Sequence, residues 1–272
     1  MDDVVEVLAL IPARGGSKSI PRKNIRPFAG HPLIAYSIAA GLASGLAAET
    51  VRRVVVSTDD DEIAAIARRY GAETPFLRPV DLSQDNTPDL PVFQHALRWL
   101  AEHEGYQPEI VVQLRPTSPF RRVRHIDEAV YSLMRRPEAD SARTVCIPFQ
   151  NPFKMWRIDA DGLMQPLIAD VEMVEPTGEG IQIRRVEAYN MPRQALPEVY
   201  WQTGYVDAAR ADTILTKNSM TGERILPLVI DPSEWIDIDS PDDWRRAERL
   251  LESGELTFDD LGFYIGDLIC PS

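Results

Sequence analysis

Apolar positions along the first half of the chain follow two alternating spacings. Short runs rich in Val, Ile and Leu fall at 6–12, 53–58, 74–77 and 109–115, the pattern of strands buried on both faces of a sheet. Between them, apolar residues recur every three to four positions over 33–46, 60–70, 90–103 and 126–135, which predicts amphipathic helices. Gly71 closes the second helix as a C-terminal cap, and Thr58 and Asp59 stand where that helix needs an N-cap. Strands alternating with helices predict an α/β fold: a Rossmann-like, mainly parallel sheet flanked by helices.

The regularity breaks over 141–197, where proline recurs at 148, 152, 166, 176, 192 and 197 among short strand-like pieces such as FKMWRI. Such a stretch predicts an excursion from the sheet. Regular signals resume at 200–208 and 225–230 and in a helix over 241–251. The expected organisation is a core of 1–148 and 197–252, an inserted arm over 149–196, and a tail over 253–272 whose aromatic and aliphatic residues predict docking.

Composition narrows the function classes. With 272 residues, 44% of them hydrophobic and 26% charged, the chain can build one large α/β core. A net charge of −13 and a pI near 4.8 argue against broad binding to nucleic acid or anionic membranes. Cys146 and Cys270 lie far apart with no metal-ligand spacing, which fits a reducing compartment. The opening MDDVVEV lacks a basic region followed by an apolar one, and no apolar run approaches membrane-spanning length. The expectation is a soluble, cytoplasmic protein.

Against that acidic background, residues 7–48 carry five cations, Arg14, Lys18, Arg22, Lys23 and Arg26, and no Asp or Glu. They cluster after the first predicted strand, in a turn containing Gly15, Gly16 and Ser17. Two glycines allow the backbone to approach closely, so that N–H groups converge on phosphate oxygens, while Arg14 and Lys18 add charge-assisted contacts. A nucleoside triphosphate is the natural polyanion. The spacing is neither that of a Walker A loop nor GxGxxG.

WIDIDSPDDW holds a second charged group. Asp237 and Asp239 alternate on a predicted strand, so both carboxylates project to one side and can share a hard cation, Mg²⁺ or Mn²⁺. Ser240 and Pro241 followed by Asp242 and Asp243 read as a helix start, with serine as cap and acids facing the dipole. In LRPTSPFR, Thr117 and Ser118 can orient a substrate or simply end a strand.

The segment IPARGGSKSIPRKNI closely resembles the first signature of the CMP-sugar synthetases, the acylneuraminate cytidylyltransferases and their relatives. The resemblance continues in order through VVSTDDDEIAAIARRYGA, FLRPVDLSQD, LRPTSPFR and IDIDSPDD, covering about 8–250 and weakest over 160–186. It implies transfer of CMP from CTP to the anomeric hydroxyl of a nine-carbon 2-keto sugar acid, with release of pyrophosphate.

The resemblance also implies roles for individual residues. Arg14 and Lys18 would hold the triphosphate, Lys23 and Asn24 phosphate and ribose, and Arg78 the cytosine, with backbone groups near Thr87 completing that pocket. Arg115 stands where sialate-activating relatives have glutamine, at a position facing the sugar acid, and it adds a cation able to pair with a carboxylate. Thr203, before Gly204 in YWQTG, replaces a usual asparagine. Both departures point to an unusual acid. Lys154 and Arg193 resemble basic residues of a dimer arm that reach the partner's substrate, which implies a homodimer. Met155, Trp156, Trp201 and Tyr205 are expected as arm or interface core. Two alternatives stand beside this reading: the same fold using another nucleoside triphosphate or another acid (legionaminic, pseudaminic, octulosonic), and an inactive nucleotide-binding scaffold.

Overall fold

The computed structural model describes residues 5–48, 51–169, 171–177 and 180–258. Its strands are β1 Val7–Pro12, β2 Pro27–Phe28, β3 His31–Pro32, β4 Arg53–Ser57, β5 Ile110–Gln113, β6 Ser141–Cys146, β7 Trp156–Ile158, β8 Met164–Pro166, β9 Val171–Thr177, β10 Gly180–Val186, β11 Trp201–Arg210 and β12 Ile225–Val229. The α-helices are α1 Leu33–Ala48, α2 Asp61–Arg69, α3 Asp89–Glu104, α4 Val123–Arg135, α5 Ala211–Leu215 and α6 Pro241–Glu252. None of them is long and apolar enough to cross a membrane.

Six strands form one sheet in the order β12-β6-β11-β5-β1-β4. β1 pairs in parallel with both β4 and β5, β12 in parallel with β6, and β11 antiparallel with β5. The expected α/β class therefore holds. Leu8, Leu10 and Val111 on the sheet pack with Phe93, Leu97 and Leu100 of α3, all nearly sealed from solvent, so β1 has apolar residues at successive positions because helices cover both of its faces.

The chain divides into two compact units, Met1–Val145 with Gln202–Ser272 and, separately, Cys146–Trp201. The second holds the hairpins β7–β8 and β9–β10 and a small core around Phe153, Ala188 and Leu196.

Three expectations need correcting. No strand forms at 74–77: only Glu73 bridges to β4, donating to the Val54 carbonyl at 2.8 Å and accepting from Val56 at 2.9 Å. Pro75 has no N–H to extend the ladder, and Phe76 turns into the core beneath α3. The break expected from 141 instead begins after β6, whose Ser141–Thr144 side is buried within the sheet. Asp60, not Thr58 or Asp59, caps α2 by accepting from the Glu62 and Ile63 amides at 3.0 Å.

Other local readings match. Gly71, at φ 89°, closes α2, and Ser240 caps α6 in a reciprocal capping box with Asp243. Tyr205 is fully buried in β11 of the first unit rather than in the arm. The described part of the tail docks: Leu256 is buried, and Phe258 stacks on Tyr36 at 4.7 Å and Phe120 at 4.9 Å. The tail from 259 onward, including Cys270, lies outside the described residues.

Candidate active site

The chain runs from β1 to β4 on one side and returns across the sheet to β5 on the other, so the loops after β1 and β5 leave in opposite directions. Open α/β sheets form their ligand crevice at such a point. A cleft of about 370 Å³ opens there, lined by the turn after β1, the 78–92 segment, the turn after β5 and the stretch before α6. Arg14, Ser17, Lys18, Lys23, Asn24, Arg78, Thr87, Arg115, Thr117, Asp237 and Asp239 all face it.

The first turn is braced before any ligand is considered. Asn24, almost fully buried, donates to the Arg14 carbonyl at 2.9 Å, and the Gly15 amide donates to Asp59 at 3.0 Å. Neither Gly15 nor Gly16 has a positive φ. A Cβ at Gly15 would lie 2.7 Å from the Asp60 carboxylate, so that glycine serves close packing, whereas the space around Gly16 is open. The turn's amides were expected to converge on phosphate; the Gly15 N–H is instead taken by Asp59.

The five cations separate. Arg22, at φ 57°, turns away to pair with Asp60 and Glu62, and the Arg26 guanidinium lies 4.9 Å over the Trp244 ring. Arg14, Lys18 and Lys23 remain in the cleft. Arg14 Nη1 meets Asp85 Oδ1 at 2.6 Å, and Lys18 Nζ pairs with the other oxygen of the same carboxylate. Lys23 Nζ donates to Asp239 Oδ1 at 2.8 Å and to the Ile238 carbonyl at 3.1 Å, which ties the first motif to the last across some 215 residues. Ser19, with no role assigned from sequence, adds a bond to the Asp239 carbonyl at 2.6 Å.

Asp237 and Asp239 do not sit on a strand. They occupy an extended stretch in which the Ile238 amide bonds the Thr117 carbonyl at 2.8 Å and the Ile236 and Ile238 side chains are buried. The alternation survives because apolar burial alone holds period two here. Burial pushes the Asp237 carboxyl above its usual range, with the Thr117 hydroxyl and Lys23 pulling the other way. Its Oδ1 is buried without a hydrogen-bond partner. A carboxylate oxygen in that state suits a cation, since an unpaired buried charge is otherwise costly. Among the described residues no three His, Cys, Asp or Glu side chains converge as a complete metal cage. Two carboxylates, with the remaining ligands from phosphate and water, is the arrangement Mg²⁺ accepts.

Arg78 is nearly buried, with its amide on the Thr58 carbonyl at 2.7 Å and Nη2 on the Ser57 carbonyl at 2.8 Å, so the end of β4 positions it rather than a strand of its own. Burial lowers its pKa. Thr87 accepts from the Gln84 amide at 3.1 Å and shapes the neighbouring turn.

Arg115 faces Asp89. Its Nη2 meets Asp89 Oδ2 at 2.8 Å, and buried Gln113 donates to the same oxygen at 2.8 Å. The guanidinium lies over Gly204, which has φ 67° and whose added Cβ would sit 2.6 Å from Arg115 Nη1. Gly204→Ala should therefore both strain the backbone and displace Arg115. We expect a stability loss of about 1–2 kcal/mol by urea unfolding.

Two further expected contacts, Thr203 and Ser118, are buried within the first unit. Thr203 is buried, donating to Thr144 Oγ1 at 2.8 Å, so β11–β6 packing holds its side chain away from the cleft. Ser118 is buried and does not line the cleft. Lys154 and Arg193, in the second unit, donate to the Tyr189 carbonyl at 3.2 Å and the Pro148 carbonyl at 2.9 Å.

Arg121, the last residue of LRPTSPFR, had no assigned role and is 1% exposed. Its guanidinium donates to the Tyr205 carbonyl, Ser37 Oγ and the Arg115 carbonyl at 2.7–2.8 Å, and burial lowers its pKa to about 10. Asp85 and Asp89 were also missed. The first lay within a quoted motif, and the second, first residue of α3, stood just before the helix expected from residue 90.

Comparison with known proteins fits this geometry. Residues 8–158 match the family model described as cytidylyltransferase. A CMP-N,N'-diacetyllegionaminic acid synthase of Legionella pneumophila is 34% identical over 91% of this chain and 97% of its own length. An N-acylneuraminate cytidylyltransferase of Escherichia coli is 40% identical over 46% of this chain and 27% of its own length. Among solved structures, a CMP:2-keto-3-deoxy-manno-octonic acid synthetase complexed with CTP superposes with a TM-score of 0.63 at 14% identity, over 92% of this chain and 99% of that one.

Proposed function

This chain belongs to the cytidylyltransferase family, among the CMP-sugar synthetases, and is a CTP-dependent nucleotidyltransferase; on that premise we propose that it activates a nine-carbon 2-keto sugar acid of the legionaminic type. The observation that carries the proposal is the cleft, where Arg14, Lys18 and Lys23 face Asp237 and Asp239. The choice of acid follows the Legionella relative, which aligns over nearly its whole length, whereas the neuraminate enzyme aligns over about a quarter of its own.

In the proposed reaction the anomeric hydroxyl oxygen attacks the α-phosphorus of CTP in line. A new O–P bond forms, the bond between the α-phosphorus and its bridging oxygen breaks, the hydroxyl proton passes to solvent, and pyrophosphate leaves. Arg14 and Lys18 hold the phosphate oxygens and stabilise their developing charge, and Arg78 reads the cytosine. Five cations and four carboxylates line the cleft, an excess of one positive charge. A triphosphate carries more negative charge than that excess offsets. Mg²⁺ or Mn²⁺ held by Asp237 and Asp239 would supply the remaining neutralisation and orient the reacting groups. Arg115, already neutralised by Asp89, suits a polar neutral group of the acceptor better than its carboxylate.

The second unit exposes Phe149, Ile158, Leu163 and Trp201, each at least half accessible. We assign this face to a second copy of the chain, with Lys154 and Arg193 on the same unit directed to the acid of that copy's substrate.

Pyrophosphate release should be measured for the four nucleoside triphosphates against legionaminic, pseudaminic, sialic and octulosonic acids. CTP with a legionaminic-type acid should give the highest kcat/KM. A different best acid would replace the substrate, and CTP binding without release from any acid would favour a scaffold.

A further inference from the structure

The carboxylate of Asp85 bridges the two cations nominated for the triphosphate, one oxygen on Arg14 and the other on Lys18. Two oxygens of one phosphate would take the same two places. We propose that Asp85 is an internal competitor for the phosphate subsite, setting nucleotide affinity and hastening departure of pyrophosphate; this rests on the cytidylyltransferase reading of the cleft.

Two of the other carboxylates are tied to wall groups, since Asp89 also holds buried Gln113 and Asp237 bonds Thr117. The third, Asp239, pairs with Lys23 and not with Arg14 or Lys18. Among the described residues, Arg14 and Lys18 are the partners of the Asp85 carboxylate and it has no third. It can therefore leave without stranding a wall group. Its loop is a short turn closed by Gln84 and Thr87, and its side chain is 38% exposed.

Exposed ion pairs are weak. A triphosphate, with several anionic oxygens and more charge, displaces such a carboxylate readily. Pyrophosphate, having lost its covalent link to the nucleoside, competes less well against the carboxylate's return. The same contact thus weakens binding modestly and favours product release, because a tethered anion is always present at high local concentration.

The test is calorimetric titration of inorganic pyrophosphate, and separately CTP, into the full chain as wild type, Asp85→Asn and Asp85→Ala at fixed salt. Both variants should bind pyrophosphate about tenfold tighter, the order expected when two exposed pairs are removed. In turnover, pyrophosphate inhibition should strengthen by a similar factor and the KM for CTP should fall. Unchanged or weaker binding in both variants, with wild-type binding intact and melting temperatures unaltered, would overturn the competitor role alone. No binding of either ligand to any of the three proteins would overturn the phosphate-site reading and this inference with it.

Discussion

Asp237→Asn should lower the rate of pyrophosphate release at saturating CTP by about two to three orders of magnitude while leaving the fold intact. The substitution keeps the side-chain volume and removes the charge from a carboxylate whose Oδ1 is buried without a partner. If that oxygen serves a divalent cation, the amide cannot replace it, and activity should demand far higher Mg²⁺. Burial already disfavours the ionised form of Asp237, so the melting temperature of the variant should be equal or higher. Burial holds the Asp237 carboxyl above its usual range, so at subsaturating Mg²⁺ the acid limb of the wild-type rate profile should sit above that of an exposed aspartate, and added Mg²⁺, which competes with the proton, should move it down. Turnover within threefold of wild type, with unchanged Mg²⁺ dependence, would show that Asp237 is not a metal ligand.

The second large effect concerns folding. Arg121→Met should cost about 3–4 kcal/mol, read as a lowered urea midpoint at unchanged slope. The guanidinium is buried, and its three bonds go to neutral acceptors on three separate segments: α1 through Ser37, β11 through Tyr205 and the turn after β5 through Arg115. Methionine fills similar space but leaves the Tyr205 carbonyl without this donor and loosens the hold on the 115–117 turn. Arg121→Lys should recover only part of the loss, since one ammonium cannot span the fork. A wild-type midpoint for Arg121→Met would show that other contacts hold the turn.

Much of this architecture was legible. The strands at 6–12 and 53–58 and the helices between them were visible because buried strands and amphipathic helices leave different spacings of apolar residues. The strand expected at 74–77 does not form, because its apolar content was real but Pro75 removed the donor a ladder requires. Asp237 and Asp239 were correctly seen as a pair projecting together although no strand carries them, since Ile236 and Ile238 impose the same alternation by burial. The five-cation cluster was visible as a charge excess, but which cations faced a ligand was not. Arg22 and Arg26 were taken by Asp60, Glu62 and Trp244, partners 38 to 218 positions further along the chain that no local pattern announces.

The sequence by itself determined the fold class, the cationic glycine turn, the distant carboxylate pair and, through five motifs in order, the family. Those are properties of local composition and spacing. Only the tertiary structure decided that Arg115 meets Asp89 over Gly204, that Thr203 is part of the core, that Arg121 ties three segments together, and that Asp85 bridges Arg14 and Lys18. Each of these is a meeting of charges or donors far apart in the chain. Which partner a charge takes depends on distance and burial in the folded state, and neither quantity exists until the sheet has brought its loops to one end.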